Sequence, residues 1–138
     1  MKRIVMAAVA AVALVGVGYA AGAKMDRADR YFEMRTYITN PGKMPALHAR
    51  FRDHTTKLFA KHGIENIGYW QHVSGDNAEN TMVYLLAFPS KEARDKSWKD
   101  FAADPDWVKA KAESEKDGVL VNKVISTFMN PADYSAIK

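Results

Sequence analysis

The stretch Thr81–Phe88, TMVYLLAF, most constrains what this chain can fold into. It is a short run of strand-favouring residues, entered from the turn-rich Ser74-Gly75-Asp76-Asn77 and closed by Pro89. In a strand, alternate side chains point to opposite faces. One face carries Met82, Tyr84, Leu86 and Phe88, and the other carries Val83, Leu85 and Ala87. Both faces are apolar, so both must be covered. An antiparallel sheet in a small domain usually buries one face and wets the other. This strand needs helices on one side and a second cover on the other.

The rest of the chain supplies the first cover. Tyr31–Ile38 alternates as a first strand, with Phe32, Met34 and Ile38 on one face and Glu33, Arg35 and Tyr37 on the other. Asn40-Pro41-Gly42 ends it with turn residues. A helix is predicted from Met44 or Pro45 to Gly63, with Leu47, Phe51, His54 and Leu58 in one narrow arc. Arg50, Arg52, Asp53 and Lys57 fall beside or opposite that arc. Asn66–Val73 is the second strand, placing Gly68, Trp70 and His72 on one face. After Pro89, Ser90 is an N-cap for a helix through Ala93, Trp98 and Phe101. Asp104-Pro105 restarts that helix, Gly118 stops it, and Val119–Met129 is the last strand.

The order is βαββαβ. A strand-helix-strand unit repeated once is the ferredoxin-like arrangement, an α+β fold with a four-stranded antiparallel sheet and two helices on one face. The other face is left bare and apolar, and such patches mark association surfaces. Two copies packing sheet to sheet, as a two-fold homodimer, would cover it. The polar row Glu33, Arg35 and Tyr37 is the candidate interface row, suited to that contact or to the edge of a cavity within it.

Residues 1–23 read as a signal peptide, residues 24–30 as a flexible lead-in, and residues 31–135 as the folded domain. Met1-Lys2-Arg3 is a basic start, Ile4–Ala23 an apolar run, and Ala21-Gly22-Ala23 a small-x-small cleavage pattern. An uncleaved anchor is the alternative, since about 20 apolar residues span a bilayer. Either way the domain is expected outside the cytoplasm, periplasmic or secreted, with no membrane contact after cleavage of the leader. Without Lys2 and Arg3, 18 basic groups face 16 acidic ones, evenly mixed. That balance argues against a nucleic-acid partner. The chain has no cysteine, and hence no disulfide, thiolate nucleophile or lipid-modified cysteine.

His54 is the most informative single residue for chemistry. It falls in the helical arc expected to face the sheet, as a pocket acid, base or ligand, or as a hydrogen-bonded core histidine. A candidate ligand pocket is drawn from His54, Trp70, Tyr84 and Trp98. His62 suits the last helical turn, His48 the flank of the arc, and His72 the strand surface. No histidine pair has i, i+4 spacing, so no metal is expected. The aromatics read as core rather than as a haem cradle, and no cofactor is expected. No Ser-His-Asp order, phosphate loop or paired-carboxylate motif stands out.

The pieces Glu33-Met34-Arg35-Thr36-Tyr37, Pro41-Gly42, Arg50-Phe51-Arg52-Asp53-His54 and Leu58-Phe59-Ala60-Lys61-His62-Gly63-Ile64 follow in order. After them come Gly68-Tyr69-Trp70, Val83-Tyr84-Leu85-Leu86-Ala87-Phe88, Ala93-Arg94, Trp98, Phe101, Asp104-Pro105-Asp106-Trp107, Ser114-Glu115 and Gly118. Together they resemble the NIPSNAP family from Tyr31 to about Ser135. The resemblance implies a ferredoxin-like fold that forms a dimeric α/β barrel, and with one copy of the module the partner would be a second chain. The wider group includes cofactor-free monooxygenases, haem-degrading enzymes and dye-decolourising relatives, whereas the NIPSNAP branch has no agreed reaction. The expectation is an exported homodimeric module that binds a small, largely apolar ligand or a protein partner. A cofactor-independent, oxygenase-like enzyme working near His54, and a purely structural interaction domain, are the alternatives. Fold alone does not choose among them.

Overall fold

A computed structural model describes residues 29–138. The expected signal peptide at residues 1–23, its expected cleavage site and most of the expected lead-in at residues 24–30 lie outside the described residues. Strand β1 is Tyr31–Thr39, β2 Glu65–Gln71, β3 Thr81–Phe88 and β4 Val121–Met129. Helix α1, Met44–Arg50, runs through a π-helical turn at Phe51–Thr55 into α2, Thr56–Lys61. Helices α3, Lys91–Ala103, and α4, Pro105–Ser114, separate β3 from β4. The sheet order is β2-β3-β1-β4, with each neighbouring pair antiparallel. This is the expected ferredoxin-like α+β topology. β4 starts later than expected, because Val119 and Leu120 are held in a turn by Asn40: its Nδ2 donates to the Val119 carbonyl at 2.8 Å and its backbone N–H to that of Leu120 at 3.0 Å.

Register decides which face meets the helices. Arg35 lies opposite Tyr84 and Ser126, and Glu33 opposite Leu86 and Phe128. Directly opposed residues share a face. Met82, Tyr84, Leu86 and Phe88 are buried beneath the helices, so Glu33, Arg35 and Tyr37 lie on that side too. Their expected place on the bare face is corrected. The charges are tolerated there because α3 brings partners to them, as described below.

The opposite face carries Met34, Thr36, Val83 and Leu85. At one end Phe32 and Ala87 are buried, and the C-terminal tail returns beside them, where Phe32, Leu85, Pro131, Tyr134 and Ile137 surround a surface groove. At the other end the face is open. A bulge at Ile67 keeps β2 in step, so that Tyr69 opposes Tyr84 and Trp70 opposes Val83. Trp70 therefore lies on the open face at 55% exposure, its ring so close over Gly68 that a Cβ there would come within 2.5 Å of it.

The first helical segment departs from a regular helix in a consequential way. The Thr56 N–H donates to the Phe51 carbonyl, five residues back. The hydroxyls of Thr55 and Thr56 donate to the carbonyls of Arg50 and Phe51 at 3.3 and 3.1 Å. One extra residue is thereby accommodated in the turn. Before it, Leu47, Arg50 and Phe51 face inward; after it, Thr55, Leu58 and Phe59 do. His54, which a regular helix would place in the arc with Leu47, Phe51 and Leu58, is rotated out and exposed.

Asp104 ties the end of α2 to the junction of α3 and α4. It is buried at the N-cap of α4, where Oδ1 accepts the Asp106 N–H at 2.8 Å. Oδ2 accepts Lys61 Nζ at 2.7 Å and lies 2.7 Å from His62 Nε2. Hydrogen bonds from Lys61, His62 and the Asp106 backbone hold its pKa far below the ordinary 3.8. A depressed carboxylate stabilises the fold above its unfolded pKa and loses that contribution as pH falls through the folded value. Asp104→Ala is expected to melt at a lower temperature than the parent at pH 7, with the gap narrowing below pH 3.8. Thermal melts at both pH values check this; coincident melts at pH 7 would contradict it.

Candidate functional site

The site begins with a buried carboxylate on β1. Glu33 is fully buried. Arg94 of α3 grips it with two donors, Nε to Oε2 at 2.8 Å and Nη2 to Oε1 at 2.9 Å. Trp98, one helical turn on, donates Nε1 to Oε2 at 2.8 Å, and Arg35 donates Nη1 to Oε1 at 2.9 Å. Burial alone would raise the Glu33 pKa, but the hydrogen bonds from Arg94, Arg35 and Trp98 outweigh it and hold the carboxyl below its ordinary value. At neutral pH Glu33 is an anion facing two guanidiniums.

Arg35 is the hub. Its Nε donates to Tyr84 Oη at 2.9 Å, Nη1 also to Ser126 Oγ at 3.1 Å, and Nη2 to Tyr37 Oη at 3.3 Å. Its guanidinium lies 4.4 Å from the centre of the Trp98 ring. Burial works against the charge, but the surrounding Tyr84, Tyr37 and Glu33 oxygens keep Arg35 firmly protonated. Burial, reinforced by the neighbouring Tyr37, pushes the Tyr84 hydroxyl well above its ordinary 10.0. Tyr84 is a neutral phenol here.

Beside this network a cavity of about 200 Å³ lies between the sheet and the helices, lined by Arg35, Tyr37, Arg50, Phe51, Thr55, Phe59, Trp98, Phe101, Ala102 and Trp107. The π turn explains much of that wall. It directs Phe51, Thr55 and then Phe59 inward in succession, with Arg50 one residue ahead. The wall thus combines aromatic rings, two guanidiniums, a phenol and a threonine hydroxyl. It contains no histidine or carboxylate.

The four residues of the expected pocket are not brought together. Tyr84 and Trp98 meet around Arg35, joined by Glu33 and Tyr37 from the expected interface row. Trp70 is on the far side of the sheet, since it opposes Val83 rather than Tyr84. His54 lies instead in an outer groove of about 320 Å³ between the first helical segment and α4, with Asp53, Lys57, Asp106, Lys109 and Glu113. His48 lies 2.9 Å from Gln71 through its Nε2, and His62 belongs to the Asp104 cluster. Among the described residues no group of three or more histidines, cysteines or carboxylates is arranged to hold a metal ion. Sequence reasoning missed Arg50 and Arg94 as site residues. For Arg50 a clue was present: it follows Leu47 by three residues and precedes Phe51, spacing that turns it inward on a helix.

The sequence matches the NIPSNAP family over residues 32–136. A comparison with curated proteins gave no match. Among solved structures, a NIPSNAP family protein of unknown function from Agrobacterium tumefaciens is 26% identical, with a TM-score of 0.68 over 80% of this chain and 95% of that one. An uncharacterized NIPSNAP domain protein from Burkholderia xenovorans is 25% identical, with a TM-score of 0.65 over 76% and 97%. A second Agrobacterium tumefaciens NIPSNAP family protein, 20% identical with a TM-score of 0.70 over 79% and 99%, shares the fold. A match over most of the chain, and superposition on nearly the full length of these structures, establish that this protein belongs to the NIPSNAP family.

Proposed function

We propose that this protein is an exported, homodimeric NIPSNAP module that binds a small, largely apolar molecule in the cavity between its sheet and helices. The cavity of about 200 Å³ carries the reading. Its wall is mostly aromatic with a few convergent polar groups, the usual make-up of a ligand site. The wall carries two arginines and a tyrosine but no histidine or carboxylate, the side chains most used for acid-base turnover. An oxygenase-like reaction built on His54 would need that imidazole inside the cavity, and His54 is on the outer surface.

The subunit count rests on the open face. Trp70 opposes Val83, Val83 opposes Thr36, and Thr36 opposes Ile125, so one row crosses all four strands. Trp70 is 55% and Ile125 42% exposed. A two-fold partner would bury this row against its own copy. Export rests on the basic start, apolar run and small-x-small pattern of residues 1–23.

Native mass spectrometry of protein purified from its own compartment tests the reading. The expected spectrum is a dimer of chains lacking the leader, each retaining a small non-covalent ligand. Ligand-free protein would contradict the binding reading. Monomer alone at micromolar concentration would contradict the dimer.

A further inference from the structure

We propose that the cavity's ligand carries a carboxylate on a flat apolar body, and that Arg50 is the residue that recognises it. The proposal rests on the binding reading above and names the class of ligand.

Arg50 is 5% exposed. Its Nη1 reaches Ser114 Oγ at 3.2 Å and Glu115 Oε1 at 3.4 Å, both long for a charge-assisted bond. Its Nε has no partner; among the described residues it is the single buried side-chain nitrogen or oxygen in that state. Buried polar groups in folded proteins are nearly always paired, and each exception asks for an explanation. An arginine Nε and a neighbouring Nη form the fork that fits the two oxygens of a carboxylate. Arg50 lines the cavity wall, and its Nε end is unused.

The surroundings favour an anion. Arg35 is the second guanidinium of the wall, and no carboxylate lines the cavity. Arg35 cannot take the fork role itself, because Tyr84, Glu33, Ser126 and Tyr37 already receive its donors. It contributes charge, while Arg50 contributes the free donor. The Arg50 guanidinium lies 5.1 Å from the centre of the Trp107 ring. About 200 Å³ holds roughly seven water-sized volumes. That suits one ring and its acid group, and the flat Phe51, Trp98 and Trp107 walls suit the ring.

Titration of the ligand-free protein with benzoate, and with benzamide as the neutral match, by calorimetry and by tryptophan fluorescence from Trp98 and Trp107, tests this. Benzoate is expected to bind at least tenfold more tightly than benzamide. Arg50→Gln should remove the preference, and Arg50→Lys should retain part of it. Should Arg50→Gln fail to fold, the parent comparison and Arg50→Lys still decide. Equal affinity for acid and amide would overturn the proposal and leave the binding reading standing. So would a benzoate preference that survives Arg50→Gln, or competition by inorganic phosphate equal to that of benzoate. Binding of neither probe would overturn it too, with the binding reading judged separately by the ligand retained in native mass spectrometry.

Discussion

Replacing Glu33 by alanine is expected to lower the unfolding free energy by about 3–5 kcal/mol, the usual result of removing one partner from a buried ion pair. The cause is not the lost carboxylate alone. Arg35 and Arg94 would remain beneath or beside α3 with no anion between them, and the Trp98 N–H would lose its acceptor. Against a typical total of about 5–15 kcal/mol, such a loss removes a large share of the fold's stability. Glu33→Gln, which keeps the shape and one acceptor, should fall between the two. The pH dependence separates charge from packing. The Glu33 pKa is lowered from 4.5 in the fold, so its contribution is present in full above pH 4.5 and fades as pH falls through the lowered value. The parent should lose stability relative to Glu33→Gln over that range, and the gap between them should close. Urea unfolding at pH 7 and near pH 3 measures both effects. A difference below about 1 kcal/mol between parent and Glu33→Ala at pH 7 would place the anion outside the fold's main supports.

How far this site could be read from the sequence depends on what kind of relation holds each residue. The βαββαβ order was legible because it rests on local relations: alternation at Tyr31–Ile38, the strand-favouring run Thr81–Phe88, turn residues at Asn40-Pro41-Gly42, and caps at Ser90 and Asp104. The two faces of β1 were legible as sets for the same reason. Which set meets the helices was not, because both faces of β3 are apolar and periodicity does not rank them. Arg94 and Trp98 supply the decisive partners, 61 and 65 residues beyond Glu33. A charge row that looks like a surface is turned into a core feature by partners that local pattern does not see. His54 was misplaced for a different reason. Helical arithmetic assumes 3.6 residues per turn, and the π turn breaks that count at Phe51–Thr55. Its trace in the sequence is the pair Thr55-Thr56, two β-branched residues able to bond backward to carbonyls in mid-helix. The cavity left no local trace, since it is space remaining between elements that pack from far apart in the chain.

Phe59→Ala is expected to cost about 3–5 kcal/mol, the range for removing a large aromatic side chain from a core. Phe59 is 1% exposed, and its ring contacts four others: Phe101 at 4.9 Å, Trp98 at 5.3 Å, Phe51 at 6.2 Å and Tyr84 at 6.3 Å between centroids. Those neighbours come from β3, α3 and the π turn, so no single element can shift to fill the gap. Phe59 also lines the cavity, and the space its ring vacates joins a volume that is already open. Stability and binding should therefore respond in opposite senses. The variant should unfold at lower urea concentration, yet accept a larger aromatic acid, such as 2-naphthoate, that the parent binds weakly. Phe59→Leu should show a smaller version of both effects, because it keeps most of the apolar contact. Urea unfolding and fluorescence titration of the same preparations read the two together. A large loss of stability with no gain in affinity for the larger acid would mean that the core collapses into the vacated space. A gain in affinity with little loss of stability would mean that Phe59 serves the cavity wall more than the core. The arrangement around Tyr84 argues for both outcomes at once: the aromatic cluster that joins sheet to helices is itself the wall of the site, so the protein cannot loosen one without reshaping the other.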